Sequence, residues 1–536
     1  MNPSQLEIRD VKPNQVSTRP VAVIDIGSTA IRLVILEVSS DGTYRRLDRA
    51  NRPIRLGQEV FSQKVILRET LSQAIQILMG FRELMRGWAI QEDDIYVIAT
   101  SAIREARNRD TFLDRVFMKT GLKVRVVEGV EENHLTFIAV QHAVESMQTS
   151  FSRSNSLILE VGGGSIELMV LKRGKMAATH SLKMGTIRIE KQMAPRAQGM
   201  TFAMEEYIRE QFRVTMEGIE TETSLGRVRY FIMVGGDARI VANNIGERTS
   251  EALWTLKREA FLGFVKVLQD LTVDEIVRKL SIAYHEAENL LPALLVHKVF
   301  LEETEADTII VPNVSIREGV LLRYALGRDK KMNDQFISQV MASTRSLGKK
   351  FHIDESHAEV VSSLAIQLFD QLEKEHGMGK RERLYLQVAG ILHDIGYYIN
   401  ASGHHKHGQY IVMNSELFGL SRNDIKIISN LIRYHRNSKP NSTHVEYTSL
   451  ARDERLMVLK LSSLLRIADA LDRSHTQHIE EIEAEIREDD LYLSTHFTGN
   501  ITLEVYALES KAELFEEIFG YRVVLEQVHL GALHHG

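Results

Sequence analysis

The sequence predicts an α/β chain of two similar lobes, followed by an all-helical region and a small α+β tail. Three observations carry this expectation. Segment 156–171 (SLILEVGGGSIELMVL) resembles segment 20–36 (PVAVIDIGSTAIRLVIL), with Asp25 falling on Glu160 and Gly27 on Gly162. Each is an apolar strand ending in an acid, then a glycine-rich hairpin, then a second apolar strand, as expected of a duplicated unit. From about residue 329 strands give way to helical spacing with few glycines and prolines. The last stretch, from about residue 478, returns to short alternating strands. The expected segments are therefore 18–150, 151–328, 329–477 and 478–536.

Val21–Leu36 reads as two strands joined by the turn Gly27-Ser28-Thr29. Leu71–Gly87 is helical, with Leu71, Ile75, Leu78 and Leu84 on its apolar face. Ile95–Thr100 is a short buried strand, Thr111–Lys119 a helix and Val124–Glu128 a strand. After the second hairpin come the strongest helices: Ser356–Glu373, Arg381–Ile395, Ser421–Tyr434 and Arg455–Asp472. The tail is expected as ββαβ: strands Ile482–Ile486, Leu491–Phe497 and Ile501–Tyr506, helix Lys511–Phe519 and strand Arg522–Val528.

Composition narrows the function classes. Hydrophobic content of 44% and charged content of 26% are those of an ordinary globular chain. No stretch approaches the roughly 18 apolar residues of a membrane helix, and Met1–Arg19 is a polar lead-in without a signal-peptide core. A cytoplasmic place is expected. There is no cysteine, which excludes disulfides and thiolate metal sites. A net charge of −6 argues against indiscriminate nucleic-acid binding but leaves room for a local basic track.

Glycine-rich hairpins let backbone N–H groups approach and point at an anion. Gly27, Ser28 and Thr29 form one such turn and Gly163, Gly164 and Ser165 the other. The acids beside them, Asp25 and Glu160, need a mediator to face phosphate, and oxygen ligands suit magnesium or manganese. A third glycine element, Gly235-Gly236 before a helix, is either a phosphate or ribose contact or a tight strand-to-helix turn.

These motifs resemble the Ppx/GppA phosphatases, within the actin, sugar kinase and heat-shock ATPase superfamily. The signatures are Asp25–Leu33 (DIGSTAIRL), Ala99–Asn108 (ATSAIREARN), Glu128–Leu135 (EGVEENHL), Leu159–Leu168 (LEVGGGSIEL) and Ile316–Leu321 (IREGVL). The resemblance implies two ribonuclease-H-like, actin-type lobes. It implies that Glu132 is the catalytic base, that Arg104 binds phosphate and that Glu167 is a further acid near the metal. It also implies hydrolysis of inorganic polyphosphate or of guanosine pentaphosphate by in-line water attack, with pairing of two copies. Three departures bear on the site. The family usually has Asp at Glu160, Arg at His134 and Asn-Ser at Thr29-Ala30. At position 134 the positive charge thus becomes conditional on pH.

The chain beyond residue 329 looks like the HD-type domain of the long exopolyphosphatases. That likeness implies a second divalent metal on His357, His393, Asp394 and Asp469, with His407 and His435 as further ligands or phosphate contacts. A polyanion track is expected over Lys349, Lys350, His405, His407, Arg433 and His435, because a long polyphosphate needs a positive groove away from the cleavage point. The other enzyme reading is a polyphosphate-dependent phosphotransferase. The non-enzymatic one is a stringent-response nucleotide sensor.

Overall fold

The computed structural model describes residues 17–40, 43–193, 200–219, 225–325, 330–436, 438–497 and 499–527. Most of the polar lead-in and the junction near residue 328 lie outside the described residues. The first sheet runs Tyr44–Pro53, Ala30–Ser39, Thr18–Ile26, Ile95–Ala99, Val124–Val126 across its width. The first two pairings are antiparallel and the last two parallel. The second sheet repeats this with Lys175–Leu182, Ile166–Lys172, Asn155–Val161, Val228–Val234 and Thr308–Pro312. Its pairings have the same sense at each step. Leu253–Lys257 and Glu247–Ser250 extend it beyond the repeat.

The duplication reaches single residues. Asp25 pairs with Arg32 across its hairpin, and Glu160 pairs with Glu167 across the other. Gly27 N–H donates to Ala30 O at 3.0 Å, and Gly162 N–H to Ser165 O at 2.9 Å. Two lobes of actin-like architecture follow from this order.

Strand Thr18–Ile26 is apolar on both sides because helices cover both faces of its sheet. Ala22, Ile24 and Ile26 belong to one core, Val21 and Val23 to the other. The second of these cores also takes Leu135, Ile316, Val320 and Leu321, so the IREGVL segment packs under the first sheet although it follows the second. Ile187 of the second lobe likewise enters the core of the first.

Helices Lys330–Lys350, Glu355–Gln371, Lys380–Leu392, Arg422–Tyr434 and Arg452–Ala470 build the helical region. The tail has the order ββααβ, in a sheet of Glu483–Arg487, Asp490–Thr495 and Arg522–Gln527. The expected strand Ile501–Tyr506 is instead the start of helix Thr502–Lys511. Alternation of Ile501, Leu503 and Val505 suggested a strand, but Glu504, Leu508 and Lys511 are the buried residues, at helical spacing. Leu491, Leu493, Leu508 and Phe515 share one apolar core with the helices. Phe418, fully buried, leaves that region and enters the core of the second lobe beside Phe137, Ile158 and Ile310.

Among the described residues no helix is long and apolar enough to cross a membrane.

Candidate active site between the lobes

The signature residues collect at the carboxyl ends of the parallel strands, where α/β sheets place their ligands. Asp25 ends Thr18–Ile26 and Glu160 ends Asn155–Val161. Arg104 lies in the short helix Ser101–Glu105 after Ile95–Ala99, and Glu132 in the first turn of Gly129–Ala143 after Val124–Val126.

Helix Thr186–Met193 sets the direction of the second glycine loop. Thr186 N–H donates to Gly162 O at 3.0 Å, Ile187 N–H to Gly163 O at 3.1 Å and Arg188 Nε to Gly164 O at 2.7 Å. In a planar trans peptide the C=O and the following N–H point opposite ways. With three carbonyls engaged on the helix side, the N–H groups of Gly163, Gly164 and Ser165 face away from it, forming an anion cradle. The first loop follows the same logic: Ser28 O accepts from Gly57 N–H at 2.9 Å and Thr29 O from Ile54 N–H at 3.0 Å.

The two loops meet. A Cβ on Gly163 would lie 3.2 Å from both Ser28 Cβ and Thr29 Cγ2. One on Gly164 would lie 2.6 Å from Ser101 Oγ and closer still to the Phe61 ring. Glycine is required here by close approach of the lobes. Arg188 strengthens the junction by pairing with Glu105 and lying 4.0 Å over the Phe61 ring. Lys64 pairs with the other Glu105 oxygen at 2.7 Å. Burial alone would raise the Glu105 carboxyl, but these two cations hold it below its ordinary range.

Glu132 is 5% exposed and its Oε1 accepts from Arg104 Nη1 at 3.3 Å. The same Nη1 donates to Val127 O at 2.6 Å, which fixes the guanidinium. Burial pushes the Glu132 carboxyl up to about 7 against the pull of Arg104, and the negative fields of Glu160 and Asp25 add to the rise. Glu167 lies within hydrogen-bonding reach of Glu132, and burial together with that neighbour holds it well above its ordinary value. Arg104 stays charged, because Glu132, Glu167 and Glu128 outweigh its burial.

The acids divide into two groups. Glu160 accepts from Thr136 Oγ1 at 2.7 Å and is raised by burial and by Asp25 and Asp237. Glu167 stands beside Glu132, with Oε1 accepting from Ser181 Oγ at 2.8 Å and Oε2 buried without a hydrogen-bond partner. Gly235, at φ 135°, caps helix Gly236–Ile245 and brings Asp237 close enough to act on Glu160. Asp237 in turn bonds His297 Nε2 at 2.9 Å.

Some expected residues stand elsewhere. His134 does not supply a conditional charge to the cleft. It is 3% exposed, stacks on Phe336 at 4.4 Å, meets Phe418 edge-on at 5.2 Å and accepts from Arg323 at 3.2 Å. Burial and then Arg323 push its pKa well down, so it is a neutral contact to the helical region. His435, expected on the polyanion track, is 1% exposed inside that region. Burial drives it down to about 3, which removes its charge. His405 is partly buried and likewise lowered, to about 4. Lys349 pairs with Glu355 at 2.9 Å, while Arg433 and His407 are partly exposed. Lys350, at the end of its helix, is also partly exposed.

Missed in the sequence were Arg188, Glu105 and Phe61. The only signal for Arg188 was its position just past Gly185, where a Cβ would strike Gly163 and Gly164.

The profile of the Ppx/GppA phosphatase family matches residues 34–327, and that of Ppx/GppA phosphatase domain III matches 341–513. The fold is similar to the crystal structure of an exopolyphosphatase from Cytophaga hutchinsonii ATCC 33406, at 22% identity and a TM-score of 0.52. That match covers 58% of this chain and 99% of the other. The Aquifex aeolicus member of the Ppx/GppA family is also similar, at 22% identity, the same coverage and a TM-score of 0.47. The chain belongs to the Ppx/GppA phosphatase family, hydrolases acting on phosphoric anhydrides.

Proposed function

We propose that the chain is an exopolyphosphatase, releasing terminal phosphate from linear inorganic polyphosphate. The observation that carries this is the buried Glu132 carboxyl held against Arg104 in the cleft lined by both glycine loops. Glu132 takes a proton from water, and the water oxygen bonds to the terminal phosphorus. The bridging P–O bond breaks, and its electrons leave with the shortened chain. A group raised towards neutrality is suited to general-base work, since it accepts a proton readily and is still ionised in part. The free N–H groups of Arg104 and the loop N–H groups bind the phosphate oxygens, where charge is greatest in the transition state.

Asp25 and Glu160, whose charges act on one another, are oxygen donors that would hold a divalent ion, while Glu167 stands apart from them beside Glu132. Magnesium or manganese is commonly held by one or two carboxylates and completed by substrate oxygens and water. Bound there, the ion would neutralise phosphate charge.

The reading for polyphosphate over guanosine pentaphosphate rests on the long C-terminal half. The track behind it is narrower than the sequence suggested, now Lys349, Lys350, His407 and Arg433 without His435. Phosphate release from long polyphosphate, guanosine pentaphosphate and ATP at equal concentration tests the choice. Faster release from polyphosphate is expected, and faster release from guanosine pentaphosphate would reverse the assignment.

A further inference from the structure

Helix Gly129–Ala143 carries a second polar side chain toward the acids, one turn beyond Glu132. This is Thr136, which is fully buried. Residues four apart lie on the same face of a helix, so Glu132 and Thr136 stand one above the other. A valine would fill such a position equally well, and a buried hydroxyl costs free energy unless it is hydrogen-bonded.

A threonine inside a helix can satisfy its hydroxyl on the carbonyl four residues back. Thr120 Oγ1 donates in this way to Val116 O at 2.6 Å, Thr215 to Gln211 O at 2.8 Å and Thr344 to Val340 O at 2.9 Å. Thr136 Oγ1 donates instead to Glu160 Oε2 at 2.7 Å. Its bond leaves the helix and joins the element that bears Glu132 to the strand that leads into the second glycine loop.

Glu160 has a reason to be held. It pairs across the ladder with Glu167, and directly opposed residues of an antiparallel pair share one face of the sheet. Two carboxyls therefore start side by side, and two hydroxyls hold them separately. Thr136 takes one oxygen of Glu160, while Ser181 Oγ donates to Glu167 Oε1 at 2.8 Å. The sheet fixes the Glu160 backbone on both sides, through Glu167 and through Val234. The Glu160 side chain has one more rotatable bond than the aspartate usual in the family, and fixing a rotor costs entropy. Thr136 anchors one oxygen and leaves the other for an ion.

We infer that Thr136 is a positioning residue for the reaction, holding the Glu160 carboxyl at a fixed offset from Glu132 and so accommodating a glutamate where the family usually has aspartate. It acts through Glu160 and touches no reacting atom. The inference rests on the reading of Glu160 as a metal-facing acid of the cleft.

A double-mutant cycle on the full-length chain tests it, with phosphate release read on long polyphosphate or guanosine pentaphosphate, whichever the wild type hydrolyses faster. Thr136→Val keeps the shape and removes the donor. Loss of a hydrogen bond to a charged acceptor should lower kcat/KM about ten- to a hundredfold, and Thr136→Ser should restore most of it. In Glu160→Asp the shorter carboxyl does not reach Thr136, so adding Thr136→Val there should cost less than about twofold. An equal loss in both backgrounds would overturn the inference. Should Thr136→Val fail to fold, Thr136→Ala takes its place. Manganese binding to the resting protein is the second readout. The ion bound by the wild type and lost in Asp25→Asn is that of the cleft. Its Kd should rise about 10–100-fold in Thr136→Val, the usual effect of losing a partner that orients a ligand, and recover in Thr136→Ser. An unchanged Kd in Thr136→Val, with the ion still lost in Asp25→Asn, would overturn the inference and leave the metal reading standing. No loss in Asp25→Asn would remove the ion from the cleft, and the cycle alone would then settle the role of Thr136.

Discussion

Arg188 Nε donates to Gly164 O at 2.7 Å, so a side chain following the second hairpin holds the backbone of its glycine loop in place. The same guanidinium pairs with Glu105 of the opposite lobe, joining loop direction to the approach of the lobes. Arg188→Ala removes a hydrogen bond from a charged donor, worth about 1.5–3 kcal/mol. Spread over the transition state, that is roughly a ten- to hundredfold fall in kcat/KM. Steady-state phosphate release checks it, and unchanged kinetics would mean that the loop needs no anchor.

Gly164 leaves no room for a methyl group. In Gly164→Ala the new Cβ meets Phe61 and Ser101 across the lobe junction. Overpacking of this kind costs about 1–3 kcal/mol. Activity should fall more than stability does, because the cradle shifts with the loop. Adding Phe61→Leu should restore part of the lost activity. A double variant no better than Gly164→Ala would show that Phe61 is not the obstacle.

Phe418 ties the helical region to the second lobe. It is fully buried and packs edge-on with Phe137 and His134, both at 5.2 Å. Phe418→Ala should destabilise the chain by about 3–5 kcal/mol, the usual cost of emptying a buried aromatic site. Chemical denaturation measures this, and a loss below about 1 kcal/mol would deny the contact its structural role.

Asp424 gives the fold an acid-sensitive point. Burial by itself would raise its carboxyl, but Tyr385, the Ser421 cap and Arg381 hold it below the usual range. A carboxyl depressed on folding contributes stability above its unfolded pKa of about 3.9, and that contribution is lost as pH falls through the folded value. In Asp424→Asn, Tm should be lower at neutral pH and should fall less steeply on acidification below about pH 4. Parallel Tm profiles of the variant and the wild type would contradict this.

Local patterns carried the lobes into view. An acid at a strand end followed by a glycine hairpin is a short-range signature, so Asp25 and Glu160 could be matched before any pairing was known. Glu132 was harder, since an acid in the first helical turn is ordinary. Only its resemblance to a motif singled it out, and the protonation of its carboxyl is set by burial and by Arg104, Glu167 and Glu160 from other elements. His134 was misread because Phe336 and Phe418 reach it from far along the chain. Position 501–506 was misread because two periodicities coexist there and the tertiary core selected the helical one. His404 lay in a run with three other basic residues, and only the helix formed by 404–413 shows that it points inward while Lys406 does not.

The measurement closest to the central claim is phosphate release from polyphosphate by Glu132→Gln, with Tm recorded on the same sample. The amide keeps the size of the side chain and removes the proton acceptor. Release should fall by about a hundred- to ten-thousandfold, the span of a general-base contribution, while Tm stays close to that of the wild type. Turnover within a few-fold of the wild type would place the base elsewhere.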